Sequence, residues 1–353
     1  CEIYVIGVNP NNAAEYQRVV RTIEVADAPA GLRGITIGVG SELTPPLTEP
    51  IRYEKLYVAV PQSTFYGAAE HGDGSVLVFD LRPSAGPLTE QIPVAIPVAE
   101  EPYSLTTSAD GGFVLVTNRL ADARGVMTID TATDTVRSTT SISLGLATDY
   151  FDVNSAAGLA VWSGHSLPAS YDVDDHQPTY AFVAGYNRYI KDAPSNDPLS
   201  NPNRPGGSNI GLIRDPFGPA PKLVAATLPI PFAYMDNLVL SANGRYLYAA
   251  YRSIGAVFVF DAEKMILLAE TGNPTILETT PLDEIDPSIR INANYALLKT
   301  VREIGYTDFV FGVPPGATDG PIAVGGTVQG LAILQPPVAL ALSGTTAGHL
   351  GDV

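Results

Sequence analysis

Three arginines each end an apolar stretch of the same pattern, and guanidinium groups so placed could bind carboxylates. They are Arg119, Arg188 and Arg252. A guanidinium presents parallel N–H donors that match both oxygens of a carboxylate. If the fold brings the three to one face, they form a candidate ligand-binding site for a carboxylate or an anionic sugar. The alternative is structural, because an arginine at a repeat position can also pair with a neighbouring aspartate or backbone carbonyl.

A short acidic run offers oxygen ligands of the kind that calcium prefers. It contains Asp172, Asp174 and Asp175 and lies in a predicted insertion. Calcium is bound in proteins by carboxylate and carbonyl oxygens. The run lacks the central glycine and closing glutamate of an EF-hand loop, so it is either a calcium site or a solvated loop. Apart from calcium at this run, no cofactor is expected.

The sequence carries few of the patterns that catalysis requires. Its four histidines show no H-x-H or H-E-x-x-H arrangement, which argues against a zinc or copper site built from imidazoles. No nucleophile elbow, P-loop or dinucleotide fingerprint stands between a strand and a helix. The single cysteine, Cys1, excludes an internal disulfide. No catalytic residue is therefore assigned.

Composition limits the classes of partner. The chain has 37 acidic and 20 basic residues and a net charge of −17, with no basic cluster to attract a phosphate backbone. Nucleic acid is thus excluded as a partner, and no apolar run is long enough to span a membrane. The 33 glycines, 30 prolines and many β-branched and aromatic residues favour strands and turns over helices.

A repeat of β-strands must position these side chains. Segments that alternate apolar residues and end in aspartate recur at Gly74–Asp80, Gly125–Asp130, Ile210–Asp215 and Gly255–Asp261. Each of them is preceded in the chain by another apolar segment, which we predict to be the second strand of its repeat; these are Lys55–Val60, Gly112–Arg119, Tyr180–Arg188 and Gly244–Arg252. The dipeptides Asp110-Gly111 and Asn243-Gly244 predict hairpins that lead into two of them. The four terminal aspartates are predicted to accept hydrogen bonds from the turns that follow them.

The order of a first strand, S-x-[DN]-G, a segment like YLYAAYR or FVLVTNR, and G-x-V-x-V-F-D resembles the YVTN repeats of β-propellers. The resemblance covers about residues 30–270 and implies an all-β propeller of five to seven degenerate four-stranded blades. We expect the propeller to span 1–335, with an insertion at about 163–208 and one helix at about 287–304. Pairing of Gly326–Leu334 with Glu2–Gly7 is expected to close the ring, and 336–353 to form a linker or begin a further module.

The repeat, the long polar loops and the lack of catalytic groupings predict a non-catalytic binding or structural module. We expect it to be extracellular or at the cell surface, with an adhesion-type role and a protein or a glycan as partner. Neighbouring domains of a longer chain, or copies of itself, are further candidate partners. The resemblance also admits an enzyme of lactonase or cyclase type with a divalent metal at the axial mouth. Residues that could serve such an enzyme are Glu70, His71, Asp73, Asp149 and Asp152.

Overall fold

The structure is a computed structural model, and parts of the chain are described in it. The described residues are 1–7, 9, 11–25, 28, 30–42, 51–62, 72–121, 124–144, 153, 155–162, 179–187, 207–227, 230–231, 235–241, 243–251, 256–270, 322–323, 340–341 and 349–350.

Four antiparallel sheets follow one another along the chain. Sheet I contains β3 (Ile35–Glu42), β4 (Ile51–Val60), β5 (Asp73–Asp80) and β6 (Val94–Glu100). Sheet II contains β7 (Pro102–Thr107), β8 (Phe113–Asn118), β9 (Val126–Asp130) and β10 (Thr135–Thr140). Sheet III contains β11 (Leu159–Trp162), β12 (Tyr180–Asn187), β13 (Gly207–Arg214) and β14 (Lys222–Ala226), and the short β15 (Ile230–Pro231) also pairs with β13. Sheet IV contains β16 (Met235–Leu240), β17 (Tyr246–Tyr251), β18 (Ala256–Asp261) and β19 (Ile322–Ala323).

Two further strand pairs, one α-helix and two 3-10 helices complete the described elements. The N-terminal hairpin joins β1 (Glu2–Ile6) to β2 (Val19–Glu24), and a short pair joins β20 (Leu340–Ala341) to β21 (His349–Leu350). The helix α1 spans Ala262–Glu270, and two single-turn 3-10 helices span Pro83–Ala85 and Leu88–Glu90.

Each sheet is an up-and-down meander whose second and third strands are the predicted repeat segments. In sheets II and IV the terminal aspartate of the third strand lies opposite the start of the second, Asp130 opposite Phe113 and Asp261 opposite Tyr246, and in sheet I Asp80 lies opposite Lys55 in the middle of β4. The apolar segments therefore predicted these strands correctly, and they are nearly continuous because each strand is buried on both faces between its neighbours.

The predicted hairpins are confirmed and share one set of hydrogen bonds. The Ser108 hydroxyl donates to Asp110 at 2.6 Å, and the Phe113 amide donates to the Ser108 hydroxyl at 3.0 Å. In sheet IV, Ser241 donates to Asn243 at 2.7 Å, and the Tyr246 amide donates to Ser241 at 2.9 Å. The glycine that follows the Asp or Asn has a positive φ in each case, 73° and 69°, which explains the Asp-Gly and Asn-Gly pairs.

The cores lie between the sheets. On β4, Tyr57 and Ala59 face sheet II, while Leu56, Val58 and Val60 face the N-terminal hairpin. On β12, Ala181 and Val183 belong to the core shared with sheet II, and Tyr180 and Phe182 to the core shared with sheet IV. Trp162 is fully buried in that last core.

The first strands of successive sheets lie beside one another. β3 contacts β7, β7 contacts β11, and β11 contacts β16. Hydrogen bonds join the sheets near these strands, from the Gly34 amide to the Tyr103 carbonyl at 2.6 Å and from the Thr117 hydroxyl to the Ala157 carbonyl at 2.7 Å. Four-stranded sheets that stack face to face with their first strands innermost are the blades of a β-propeller. The sheets are called blades I to IV below.

The helix α1 was not predicted, and its burial shows why it forms. Ala262, Met265 and Ile266 are fully buried in the core of blades III and IV, at the i, i+3, i+4 spacing of one helix face. The helix expected at about 287–304 lies outside the described residues. Most of the predicted insertion at 163–208 also lies outside the described residues, apart from 179–187 and 207–208. The described residues contain no blade beyond these four.

The described residues do not include the strand that was predicted to close the ring. β1 pairs with β2, and Ile23 of this hairpin packs against the face of blade I that points away from blade II. The candidate closing strand Gly326–Leu334 lies outside the described residues, so its pairing with the N-terminal strand stays a prediction. In the segment predicted as a linker, 336–353, the described part is the β20–β21 pair.

Candidate functional site

The second strands of all four blades end at one edge of the propeller. The final residues of these strands are Val60, Asn118, Asn187 and Tyr251. The loops predicted between second and third strands are Pro61–Asp73, Leu120–Arg124, Tyr189–Ser208 and Ser253–Ile254, and the long ones among them were the predicted recognition loops. This edge therefore presents the candidate face. Its described charged residues, Asp73, Glu100, Glu101, Arg119 and Arg124, are called the charged rim below.

Arg119 is held in the inner part of the charged rim. Its guanidinium lies 3.4 Å from the Glu101 carboxylate, with side chains that are 12% and 3% exposed. The same guanidinium lies over the Tyr103 ring at 4.6 Å from its centroid. The Arg119 amide also donates to the Glu101 carbonyl at 3.0 Å, so the backbone fixes the pair. A buried ion pair is the kind of contact that the structural alternative for these arginines predicted.

Arg124 forms the outer part of the charged rim. It donates to both oxygens of Asp73, at 2.9 and 3.3 Å, and lies 4.0 Å from Glu100. These hydrogen bonds to Asp73 raise the pKa of the Arg124 guanidinium. The Arg124 and Asp73 side chains are 42% and 52% exposed. An exposed pair of this kind contributes about 0–1 kcal/mol to stability, so its groups can exchange partners at little cost to the fold.

Asn118 shapes the loop that carries Arg124. Its amide nitrogen donates to the Arg124 carbonyl at 2.9 Å, and its backbone N–H donates to the Gly125 carbonyl at 2.8 Å. Asn118 is fully buried at the end of β8. It therefore ties the loop to the blade and holds the guanidinium of Arg124 beside Asp73, a role that its position in the repeat did not reveal.

The structure describes few of the other residues that the sequence singled out. Arg188 and Arg252, the calcium candidates Asp172, Asp174 and Asp175, and Glu70, His71, Asp149 and Asp152 all lie outside the described residues. Within the described part, Asp73 belongs to the ion pair with Arg124, and no three His, Cys, Asp or Glu residues gather in a way that could hold a metal. Whether the three arginines form one ligand site stays a prediction.

Two of the four terminal aspartates act as predicted. The Asp80 carboxylate accepts from the Arg82 amide at 2.8 Å, and that of Asp130 accepts from the Ala132 amide at 2.9 Å. Burial acts to raise the pKa of Asp80, but the hydrogen bonds and charge of Arg82 outweigh it and hold that pKa below its ordinary value. Asp215 instead has a positive φ of 49°. Asp261 is buried beside Arg245, with its carboxylate 3.8 Å from the guanidinium.

A buried polar network between blades I and II escaped the sequence analysis. The Lys55 ammonium donates to the Asp134 carboxylate at 2.7 Å and to the Thr131 carbonyl at 2.8 Å. The Tyr57 hydroxyl donates to the second oxygen of Asp134 at 2.8 Å. Burial, and then the hydrogen bond to Asp134, raise the pKa of Tyr57. The one available signal was a lysine at the start of the apolar run KLYVAV, since Lys seldom lies in a buried strand without a partner.

The described residues include no helix that is long and apolar enough to cross a membrane.

Comparisons with known proteins concern the fold alone. No protein-family model matches the chain, and no curated protein resembles it in sequence. Among solved structures, the hydrazine synthase of Kuenenia stuttgartiensis is 14% identical with a TM-score of 0.38, over 89% of this chain and 80% of that one. A putative 6-phosphogluconolactonase of Bacteroides fragilis is 15% identical with a TM-score of 0.38, over 74% and 60%. The β-propeller domain of Cps50 (Swd1) from Myceliophteria thermophila is 12% identical with a TM-score of 0.38, over 74% and 62%.

At these identities and TM-scores the likenesses carry no argument about activity. The fold assignment rests on the strand order, the pairing register and the face-to-face packing of the sheets described above. By these features the chain is an all-β protein with the blades of a β-propeller.

Proposed function

We propose that this chain is a propeller of the YVTN type and that it is a non-catalytic binding module, exported or at the cell surface, which recognises a protein or a glycan. The observation that carries the proposal is the charged rim. It lies at the edge where the loops between second and third strands emerge, and loops on a rigid scaffold are favoured sites of recognition.

The two arginines of the charged rim have different roles. Arg119 is held in a buried pair with Glu101, and it stiffens the base of the rim. Arg124 is exposed and pairs with Asp73, which is exposed as well, so a ligand carboxylate or hydroxyl can replace Asp73 in its hydrogen bonds. Rim charges of this kind mainly set the association rate and the choice of partner.

An exported setting agrees with the composition, because the chain is acidic, with a net charge of −17, and rich in glycine and proline. A net charge of this size disfavours nucleic acid and anionic surfaces as partners. It favours a partner that carries a positive patch or a neutral glycan.

Charge reversal at the rim tests the proposal. The fluorescently labelled full chain and its Arg124→Glu variant would be titrated onto intact cells of the source organism at low and at physiological salt. We expect Arg124→Glu to weaken binding about tenfold, the loss of one charge-assisted contact. The matched control is Arg21→Glu, which makes the same charge change at an exposed side chain on β2 of the N-terminal hairpin.

Equal binding by the parent chain, Arg124→Glu and Arg21→Glu would contradict recognition through this rim. Turnover of a panel of lactones by the chain, with calcium added, would contradict the non-catalytic part of the proposal. Protease or glycosidase treatment of the cells before titration distinguishes a protein partner from a glycan.

A further inference from the structure

A cavity of about 330 Å³ lies at the edge of the propeller opposite to the charged rim. It opens on blade III, where β12 begins and β13 ends, and is lined by Thr179, Asp215, Phe217, Gly218, Pro219 and Ala220. Its volume is at the lower end of the range of about 300–1,000 Å³ that is usual for small-molecule sites. None of its residues belongs to the charged rim.

The wall of the cavity is a turn that backbone hydrogen bonds hold in place. The Asp215 amide donates to the Thr179 carbonyl at 2.9 Å, and the Gly218 amide donates to the Asp215 carbonyl at 2.8 Å. The positive φ of Asp215, 49°, directs the chain into this turn. A hydrogen bond from the Thr128 hydroxyl to the Pro216 carbonyl, at 2.7 Å, anchors the turn to blade II. The cavity is therefore preformed.

The cavity combines an apolar wall with hydroxyl-binding groups. Phe217 stacks on Phe113 of blade II, with ring centroids 5.7 Å apart and an interplanar angle of 21°, so the ring is fixed in position. Pro219 and Ala220 extend the apolar wall. The Asp215 carboxylate, whose side chain is 54% exposed, accepts hydrogen bonds, and the Thr179 hydroxyl both donates and accepts.

The charges around the cavity favour a neutral ligand. Arg214 lies 3.7 Å from Asp215 and 3.7 Å from Glu270, so its charge is shared between two carboxylates. Lys222 lies opposite Arg214 in the register of β13 and β14, and the Arg137 guanidinium lies over Phe113 at 4.8 Å. These three cations and two carboxylates largely balance one another, so the local charge selects neither a simple cation nor a simple anion as the ligand.

We propose that this cavity binds one sugar residue, a neutral ring that carries several hydroxyl groups. Asp215 accepts hydrogen bonds from two neighbouring hydroxyls, Thr179 bonds a third, and the apolar face of the ring packs on Phe217 and Pro219. The inference deepens the glycan part of the proposed function and rests on it in that respect, but it uses a separate surface.

Ligand-observed NMR tests the assignment. Saturation transfer from the full chain to glucose, galactose, mannose and N-acetylglucosamine, each at millimolar concentration, would show which sugar binds, and titration would give its Kd. In Asp215→Asn, which keeps a residue that tolerates positive φ, we expect the Kd to rise about tenfold through loss of a charged acceptor. In Ala220→Phe we expect binding to be lost, because the added ring fills the cavity from its exposed wall.

Asp110→Asn is the matched control, because it makes the same chemical change in a hairpin turn where blade IV already carries Asn243. Each variant is first compared with the parent chain by thermal unfolding, and if Ala220→Phe does not fold, Asp215→Asn decides. The proposal fails if none of the four sugars binds, or if Asp215→Asn and Ala220→Phe bind as the parent does. Loss of sugar binding in Arg124→Glu with retention in Asp215→Asn would overturn this cavity as the site and leave the charged rim as the glycan site. Failure at the cavity with cell binding still dependent on Arg124 would leave the proposed function intact.

Discussion

The sequence around Lys55 predicts its strand but not the carboxylate with which its ammonium pairs. Its side chain is 6% exposed, and it bonds to Asp134, 79 residues away. The pattern of the run KLYVAV predicted the strand correctly. It could not identify the carboxylate, because that contact depends on how blade II packs on blade I. The same limit applies to Arg119, whose place at the strand end was predicted and whose pairing with Glu101 was not.

The Lys55 network gives a prediction for stability. Asp134→Ala removes the carboxylate partner of a buried ammonium and leaves it the Thr131 carbonyl and the Tyr53 ring, whose centroid is 5.3 Å away. Loss of one partner from a buried ion pair costs about 3–5 kcal/mol, and alanine adds strain at the positive φ of Asp134, 52°. We therefore expect a clearly lower urea midpoint for this variant. Tyr57→Phe removes one hydrogen bond to the same carboxylate and should cost about 1.5–3 kcal/mol.

The double variant Asp134→Ala/Tyr57→Phe distinguishes a network from separate contacts. Residues that share one partner are not additive. We expect the double variant to lose less than the sum of the two single variants in equilibrium urea unfolding. Strict additivity, or an Asp134→Ala chain as stable as its parent, would contradict the network.

At the scale of elements, prediction succeeded where the chain repeats a local rule. The second and third strands were correct because burial of both faces makes each one a nearly continuous apolar segment. The Ser-x-Asp-Gly and Ser-x-Asn-Gly turns were correct because a glycine must take the positive φ. The helix α1 was missed because it starts directly after Asp261, at the position where earlier blades turn. Its stability comes from Ala262, Met265 and Ile266 packing on blades III and IV, which the nine residues alone do not reveal.

The hairpin of blade II gives a prediction with a matched control inside one turn. Gly111 has a φ of 73°, and a Cβ added there would lie 2.5 Å from a methyl group of Val39 in blade I. A Cβ on the adjacent Gly112 would lie 3.3 Å from the Asp110 carboxylate, and its φ is not positive. Strain at a positive φ costs about 1–3 kcal/mol, before the contact with Val39 is counted.

We expect Gly111→Ala to lower the urea midpoint strongly and Gly112→Ala to change it little. The Gly111 carbonyl accepts from the Val39 amide at 2.7 Å, so hydrogen exchange at Val39 should also accelerate in Gly111→Ala. Equal losses of stability in the two variants would contradict the special requirement for glycine at 111, both its positive φ and its contact with blade I.

At the scale of the whole molecule, blade I differs from the blades after it. Gly38 on β3 faces blade II, since a Cβ there would meet Thr131 and the Gly111 carbonyl. The residues that alternate with it, Ile35 and Ile37, are 49% and 50% exposed. Tyr4 and Ile6 of the N-terminal hairpin are 57% and 54% exposed. The exposed apolar side chains of this region thus concentrate at the start of the ring, where a closing strand would lie.

The end of blade IV is positioned to supply such a strand. β19 pairs with β18 so that Ala323 lies opposite Ala256, which places the end of β19 at the edge with the charged rim. At that same edge, β6 ends at Glu100 and the next first strand begins at Pro102. The chain after Ala323 therefore starts where a further first strand would start, and Gly326–Leu334 has the alternating pattern of one.

Two truncations separate closure from the predicted domain boundary. A chain of residues 1–335 keeps Gly326–Leu334 and should unfold at the same urea midpoint as the full chain. A chain of residues 1–323 lacks that segment; with Ile35 and Ile37 left uncovered, we expect a lower midpoint and strong binding of a hydrophobic dye. Equal stability of the two truncated chains, without dye binding, would contradict closure by this segment. A loss already present in the chain 1–335 would instead move the end of the propeller into 336–353, where β20 and β21 pair.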